Sequence, residues 1–114
     1  MKIYKDFIEI FNNGKEIANY ETWIYVTEDD FEDLKNAKFY MPEKGEDEPD
    51  DIIETEDDLI PKTIFEIDKT MISLVENHTF QAIYENMEAT KKTFSLDEKI
   101  EALYHYVEED TFLY

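Results

Sequence analysis

The side chains that could carry chemistry in this sequence are two histidines, two serines and thirty carboxylates. His78 and His105 are each isolated, and their surroundings match neither the spacing of a zinc site nor that of an acid–base pair. Neither Ser73 nor Ser95 lies in a GxSxG sequence, so the sequence does not indicate a serine nucleophile. We therefore expect the histidines to be structural or surface residues, and we expect no catalytic residue and no enzyme.

The carboxylates are too numerous to indicate one particular site. Residues 47–58 lack the DxDxDG start, the central glycine and the bidentate glutamate of an EF-hand. A carboxylate pair of the glycosidase type cannot be told apart from the many other pairs in the chain. The absence of cysteine removes thiolate ligands, and two glycines are too few for a phosphate-binding loop. The sequence thus predicts no cofactor and no metal site.

The charge balance restricts the class of partner. The formal net charge is −19, and all eleven basic residues are lysines. Nucleic acids and anionic membranes would repel such a chain, and without arginine it lacks the planar fork that recognises phosphates and bases. We expect neither direct nucleic-acid binding nor membrane binding, and the partner class that remains is a basic protein.

Nearly half of the excess charge lies in residues 43–58, which we call the acidic segment. It carries ten acids and one lysine, a net charge of −9, between flanks rich in apolar and aromatic residues. Because a turn after the first predicted strand can lie beside this segment, we include three acids from that turn. The candidate partner-binding residues are Glu46, Asp47, Glu48, Asp50, Asp51, Glu54, Glu56, Asp57 and Asp58, with Asp29, Asp30 and Glu32 extending the patch.

Three functions would explain an acidic segment of this kind. It can be a solubilising loop of an accessory domain, an inhibitor surface that captures a cationic protein, or a decoy that imitates DNA phosphates in front of a restriction or CRISPR nuclease. Electrostatic steering speeds the capture of a cationic protein, which favours the inhibitor. A DNA mimic usually spreads its charge along an extended face, whereas here the charge is concentrated in one segment.

The N-terminal half predicts one helix and two strands. Apolar residues at helical spacing predict an amphipathic helix over 2–12, which Asn12–Gly14 would end because Asn and Gly tolerate the left-handed conformation. Residues 22–27 are β-branched and aromatic and predict a strand, and residues 37–41, which Pro42 ends, predict a second one. We expect the two strands to pair antiparallel, joined through a polar turn and one helical turn. Alternation would place Trp23, Tyr25 and Thr27 on one face of the first strand and Ile24 and Val26 on the other.

The C-terminal half predicts a third strand and three helices. Pro61 is suited to the first position of a short helix over 61–68, and residues 70–76 predict a strand. Thr79 is a candidate cap of the next helix, and Ser95 and Glu98 have the spacing of a capping box that opens the last one.

These elements predict one domain over 1–114. The predicted fold class is α+β, with a small antiparallel sheet packed against three to four helices, a C-terminal antiparallel helix pair and an acidic loop at about 43–58. We expect like charges this dense to oppose both helix and sheet, so that the segment is a solvated loop which Ile52 and Ile53 anchor to the body. The N-terminus does not resemble a signal peptide and no apolar run is long enough to span a bilayer, so we expect a cytoplasmic protein.

Aromatic residues provide candidate anchors for a partner. Tyrosine and tryptophan contribute strongly to protein interfaces, and an acidic rim around them would suit a basic target. Most aromatic residues of a chain this short belong to its core, and the sequence does not show which of them face outward. The candidates are Trp23 and the eight tyrosines Tyr4, Tyr20, Tyr25, Tyr40, Tyr84, Tyr104, Tyr106 and Tyr114.

Residues 23–26, the acidic segment, TFQAIYENM at 79–87 and SLDEKIEALYHYVEEDTFLY at 95–114 together resemble a known family. That family comprises small acidic bacterial proteins of unknown function, some of which look like immunity proteins of contact-dependent or polymorphic toxin systems. The resemblance covers most of the chain and is strongest in the last third, and it contains no catalytic motif. It implies that the protein binds and blocks a cognate toxin, often a cationic nuclease. The similar positions are Ile83, Asn86, Ala102, Tyr106, Asp110 and Phe112.

Overall fold

A computed structural model of the protein describes residues 1–17, 20–56 and 58–114, and of Pro49 only the backbone. The described residues form six strands and five α-helices, with two further short 3₁₀ turns at Gly14–Glu16 and Pro49–Asp51. The strands are β1 Lys2–Tyr4, β2 Trp23–Thr27, β3 Phe39–Met41, β4 Ile52–Glu54, β5 Leu59–Pro61 and β6 Met71–Glu76. The helices are α1 Phe7–Asn12, α2 Glu28–Phe31, α3 Lys62–Phe65, α4 Asn77–Ala89 and α5 Leu96–Glu109.

The main sheet has four antiparallel strands in the order β1-β3-β2-β6. Its central strands are the ones that the β-branched and aromatic runs predict, and the α+β fold class is confirmed. The predicted alternation along β2 is also confirmed, since Ile24 and Val26 join the larger core while Tyr25 faces the other side with Tyr40 of β3. Each face of the sheet therefore has its own layer of apolar side chains.

The first face of the sheet is covered by α1, α4 and α5. Phe7 of α1 is fully buried, with its ring centroid 6.2 Å from that of Phe39 and 5.7 Å from that of Phe11. The helix α5 begins at the predicted capping box, in which Ser95 Oγ accepts a hydrogen bond from the Glu98 amide at 3.2 Å and Glu98 accepts one from the Ser95 amide at 2.9 Å. Among the described residues, no helix has the length and apolar character needed to cross a bilayer.

The second face of the sheet is covered only in part. The hairpin formed by β4 and β5, together with α3, places Ile60 and Ile64 over Tyr25, Tyr40 and Met71. This cluster is small, and at one end of β2 the side chain of Trp23 is left 41% exposed.

The N-terminal helix is shorter than predicted, because residues 2–4 form a strand. Asp6 caps α1, and its Oδ1 accepts a hydrogen bond from the Glu9 amide at 2.9 Å, so the helix begins at Phe7. The preceding Lys2–Tyr4 pairs with β3 instead. Apolar spacing alone does not locate this boundary, which is set by the cap and by a pairing partner almost forty residues away.

The helix α1 ends at the predicted Asn-Asn-Gly sequence, but for a different reason. Asn13 caps it with φ of −97°, outside the left-handed region. Gly14 is required by close packing, since a Cβ atom there would lie 2.8 Å from two carbon atoms of Tyr84 on α4. The glycine thus allows the 3₁₀ turn that follows α1 to approach α4 closely.

The acidic segment is more ordered than the predicted solvated loop. Pro49–Asp51 forms a 3₁₀ turn, and Ile52–Glu54 pairs with Leu59–Pro61. Ile52 and Ile53 are half-buried and lie opposite Pro61 and Ile60 in the hairpin, and their role as anchors to the body stays a prediction. Sheet pairing is possible despite the charge because Ile53 lies opposite Ile60, which is fully buried in the second cluster.

The helix α4 begins two residues before its predicted cap at Thr79. The first helical residue is Asn77, which follows β6 directly and is fully buried. Its side chain bonds to the chain entering β2, so a tertiary contact rather than a local cap positions the start of this helix.

Candidate functional site

The predicted partner-binding acids divide into two groups of different accessibility. Asp57 lies outside the described residues. Four acids are half-buried and make hydrogen bonds within the chain, namely Asp30, Glu46, Asp47 and Asp58. Seven are exposed, namely Asp29, Glu32, Glu48, Asp50, Asp51, Glu54 and Glu56.

Glu46 and Asp30 use their carboxylates locally. Glu46 Oε1 lies 2.6 Å from the amino nitrogen of Met1 and accepts a hydrogen bond from the Glu43 amide at 2.8 Å. The hydrogen bond from the amino group is the main reason that the pKa of Glu46 is lowered. Asp30 Oδ2 accepts a hydrogen bond from the Lys38 amide at 3.1 Å. Both carboxylates therefore order the chain around them.

Asp47 connects the acidic segment to the interior. Its Oδ2 accepts a hydrogen bond from the Thr22 hydroxyl at 2.9 Å. The Thr22 amide donates in turn to Asn77 Oδ1 at 3.2 Å, and the same oxygen accepts from the His78 amide at 2.9 Å. Asn77 Nδ2 donates to the Tyr20 carbonyl. A chain of polar contacts thus runs from the acidic segment to the buried junction of β2 with α4.

Asp58 holds the hairpin against the edge of the sheet. Its Oδ2 accepts hydrogen bonds from the Ser73 amide, at 2.8 Å, and from the Ser73 hydroxyl. Its carbonyl accepts from the amide of Thr55 at 2.8 Å, which closes the hairpin turn. The Ser73 hydroxyl donates to a carboxylate here, and neither histidine lines the surrounding cleft.

A cleft of about 590 Å³ lies between this hairpin and the open end of the second sheet face. Its apolar part includes Trp23 and Leu59, which are 41% and 60% exposed. Large side chains left accessible beside polar ones are a common feature of interaction sites. The cleft combines two exposed apolar groups with a carboxylate rim, and it is lined by Trp23, Tyr25, Glu54, Thr55, Glu56, Asp58, Leu59 and Ser73.

The acid of α2 that lies beside the hairpin turn is Glu28, which the sequence analysis does not select. Together with Glu56 and Asp58 it lines a second hollow of about 180 Å³. The predicted Asp29, Asp30 and Glu32 do not line that hollow. Residues missed by the sequence analysis also include Leu59 and Ser73. Trp23 appears there only as one aromatic among nine, although the β2 alternation already places it on the face of Tyr25.

The described residues show no arrangement typical of metal catalysis. No group of three or more His, Cys, Asp or Glu side chains among them is placed to hold a metal ion. His78 is exposed, and the Nε2 of His105 lies 3.1 Å from the Thr111 hydroxyl.

The burial of Tyr20 predicts a loss of stability at high pH. Burial, followed by the charge of Asp47, raises the pKa of Tyr20 to about 12. A group whose pKa is raised by folding stabilises the fold below its unfolded pKa, near 10, and this stabilisation is lost as pH rises through the folded value. We expect the free energy of unfolding to fall between about pH 10 and pH 12, measured by urea unfolding.

Tyr20→Phe is the control for this pH dependence. It removes the titrating hydroxyl, and with it the hydrogen bond to the Pro42 carbonyl. The variant should be less stable at neutral pH but should lose less stability on going to pH 12. An unchanged alkaline slope would show that Tyr20 does not cause it.

Comparison with known proteins gives a family match over most of the chain. The family described as Domain of unknown function (DUF7716) matches residues 6–114, which include everything from the cap of α1 to the C-terminal residue. A search of curated proteins gives no match. A search of solved structures also gives none.

Proposed function

We propose that this chain, which belongs to the DUF7716 family, is an acidic inhibitor that binds a basic protein. In this proposal it is an immunity protein that blocks a cationic toxin domain, most simply a nuclease, by covering its active or nucleic-acid-binding surface. The observation that supports the proposal is the combination of exposed carboxylates with the cleft at Trp23 and Leu59. The resemblance of the sequence to small acidic bacterial proteins, some of which look like immunity proteins, supports the same proposal.

Charge and apolar contact would have different roles in such an inhibitor. Exposed ion pairs contribute only about 0–1 kcal/mol each, so the carboxylates alone do not give tight binding. Their combined field, from a chain of net charge −19, speeds the encounter with a cationic partner. Trp23 and Leu59 would then be buried in the complex and slow dissociation.

The partner can be identified in cells that produce the protein. A pull-down washed first at low and then at high salt should retain one basic protein, and that protein should lose nuclease activity when the inhibitor is added. Recovery of a restriction or CRISPR component that duplex DNA displaces would instead support DNA mimicry. A partner that is not basic would contradict the proposal.

Neutralising exposed acids of the acidic segment should slow association with this partner. The triple variant Glu48→Gln/Asp50→Asn/Asp51→Asn removes three negative charges from exposed side chains. We expect association in stopped-flow measurements at low salt to slow by about five- to tenfold, and the difference to shrink above 0.5 M salt because the ions screen the field.

A matched variant separates local from total charge. Glu101→Gln/Glu108→Gln/Glu109→Gln removes the same three charges from exposed positions of α5. It should slow association less than twofold. Equal slowing by both variants would show that net charge alone matters, and no slowing by the first would contradict steering by the acidic segment.

A further inference from the structure

Three hollows on the surface follow strand β6 from one end to the other. The hollow beside Glu28 is lined by Met71 and Ile72 of this strand, the Trp23 cleft by Ser73, and a third hollow of about 180 Å³ by Leu74, Val75 and Glu76. The Trp23 cleft shares Thr55, Glu56 and Asp58 with the hollow beside Glu28, and it shares Trp23 with the third hollow, which α5 borders. We call the three hollows together the β6 groove. Six residues of strand span about 20 Å, which is the length of an extended segment of about six residues.

Trp23 lies between two parts of the β6 groove. It lines both the large cleft and the third hollow, and its side chain is 41% exposed. Across the third hollow lies Tyr106 of α5, whose ring centroid is 5.3 Å from that of the exposed Phe112. Trp23 and Tyr106 therefore give the third hollow an aromatic lining.

The rim of the β6 groove is strongly acidic. Only one lysine, Lys69, lines the three hollows, as far as the described residues show. The carboxylates that line them are Glu28, Glu54, Glu56, Asp58, Glu76 and Asp110. Charge complementarity therefore selects a basic occupant.

The edge of β6 does not favour simple addition of another strand. β6 is an outer strand of the sheet, but its Met71 amide donates to the Asp68 carbonyl at 3.3 Å and its Ser73 amide donates to Asp58 at 2.8 Å. A partner strand would have to break these bonds before it could pair there. Recognition through side chains is the alternative that leaves both bonds intact.

We propose that the β6 groove binds an extended, arginine-bearing segment of the basic partner, with a guanidinium group stacked on Trp23 and paired with groove carboxylates. This inference rests on the proposed function and specifies how the partner is bound. Arginine suits the groove better than lysine because its planar group stacks on an indole ring and also forms paired hydrogen bonds with carboxylates. A stretch with arginine at alternate positions would place successive guanidinium groups on the same side.

The test uses a synthetic peptide, because Trp23 is the only tryptophan in the chain and its fluorescence reports on the groove. The probe is a labelled hexapeptide that alternates arginine and threonine, compared with its lysine counterpart. We expect the arginine peptide to shift the Trp23 emission and to bind at least fivefold more tightly than the lysine peptide at 0.15 M salt. Equal affinities with an unchanged emission would show that only charge attracts the peptide, and would overturn the inference.

Two variants locate the binding site by peptide anisotropy. Trp23→Ala should weaken binding of the arginine peptide at least tenfold, whereas Ile67→Ala, which truncates another exposed apolar side chain, should change it less than twofold. Thermal unfolding checks that both variants fold. Equal effects of the two variants, or no effect of Trp23→Ala, would overturn the inference. Trp23 emission that changes with protein concentration in the absence of peptide would also overturn it, because the groove would then bind a second copy of the chain.

The natural partner distinguishes this inference from the proposed function. If that partner binds the wild-type protein and the Trp23→Ala variant equally well, and association still slows when the acidic segment is neutralised, the groove assignment is wrong and the inhibitor function stands. If the partner is not basic, the inhibitor function fails irrespective of the peptide result.

Discussion

Replacing Asn77 by alanine should lower the free energy of unfolding by about 3 kcal/mol, because it leaves several buried polar groups without partners. The side chain is fully buried and accepts hydrogen bonds from the amides of Thr22 and His78. It also donates to the carbonyls of Tyr20 and Ile17. Urea unfolding followed by circular dichroism measures the loss.

Two further substitutions separate the buried contacts of Asn77 from a general effect of losing an amide. Asn36 is exposed and its side chain bonds to the nearby Asp33, so Asn36→Ala should change stability by less than about 0.5 kcal/mol. Asn77→Asp keeps an acceptor but places a negative charge against the two carbonyls, so it should be more destabilising at pH 7 than at pH 4. A loss below 1 kcal/mol for Asn77→Ala would contradict a structural role for this network.

Replacing Asp58 by alanine should destabilise the protein by about 2 kcal/mol and loosen the hairpin, although it removes one negative charge from a crowded region. Loss of repulsion alone would make the variant more stable, so the sign of the change decides between the two effects. We expect the lost hydrogen bonds to cost more free energy than the reduced repulsion returns, since the Ser73 amide at the sheet edge loses its acceptor. Hydrogen exchange should then accelerate across the hairpin residues 52–61.

Glu48→Ala is the matched control for Asp58→Ala, since it removes the same charge from an exposed side chain of the acidic segment. It should leave stability unchanged or raise it slightly. Ser73→Ala removes only the hydroxyl donor and should cause a smaller loss than Asp58→Ala. An Asp58→Ala variant as stable as the wild type would contradict a stabilising role of the Asp58–Ser73 hydrogen bonds.

Local signals account for the parts of the fold that the sequence predicts correctly. The alternation of β2, its pairing with β3, the strand β6 and the capping box at Ser95 depend on neighbouring residues, and each agrees with the structure. The helix predicted over residues 2–12 is wrong at its start, because Asp6 caps α1 and residues 2–4 pair with Phe39–Met41, a partner that the segment itself does not reveal.

The candidate site is harder to predict because the sequence shows which residues are charged but not which of them form hydrogen bonds within the fold and which stay exposed. Asp47 and Asp58 resemble their exposed neighbours in sequence, yet each bonds to a residue well separated along the chain, 25 positions away for Asp47 and 15 for Asp58. The cleft forms between the hairpin and Trp23. Its apolar part can be predicted only if the exposure of Leu59 and Trp23 is known. These features arise only when distant segments pack.

The order of strands in the sheet determines when the chain can fold during its synthesis. The inner strand β2 has β3 on one side and β6 on the other, and its Trp23 lies opposite Glu76, which the ribosome adds 53 residues later. The acidic segment leaves the ribosome in between, so every nascent chain passes through a stage in which apolar β2 and β3 are made but uncovered. Like charges on an unfolded chain keep neighbouring copies apart, whereas exposed strands favour aggregation. The acidic segment would therefore protect the nascent chain from aggregation before it meets any partner.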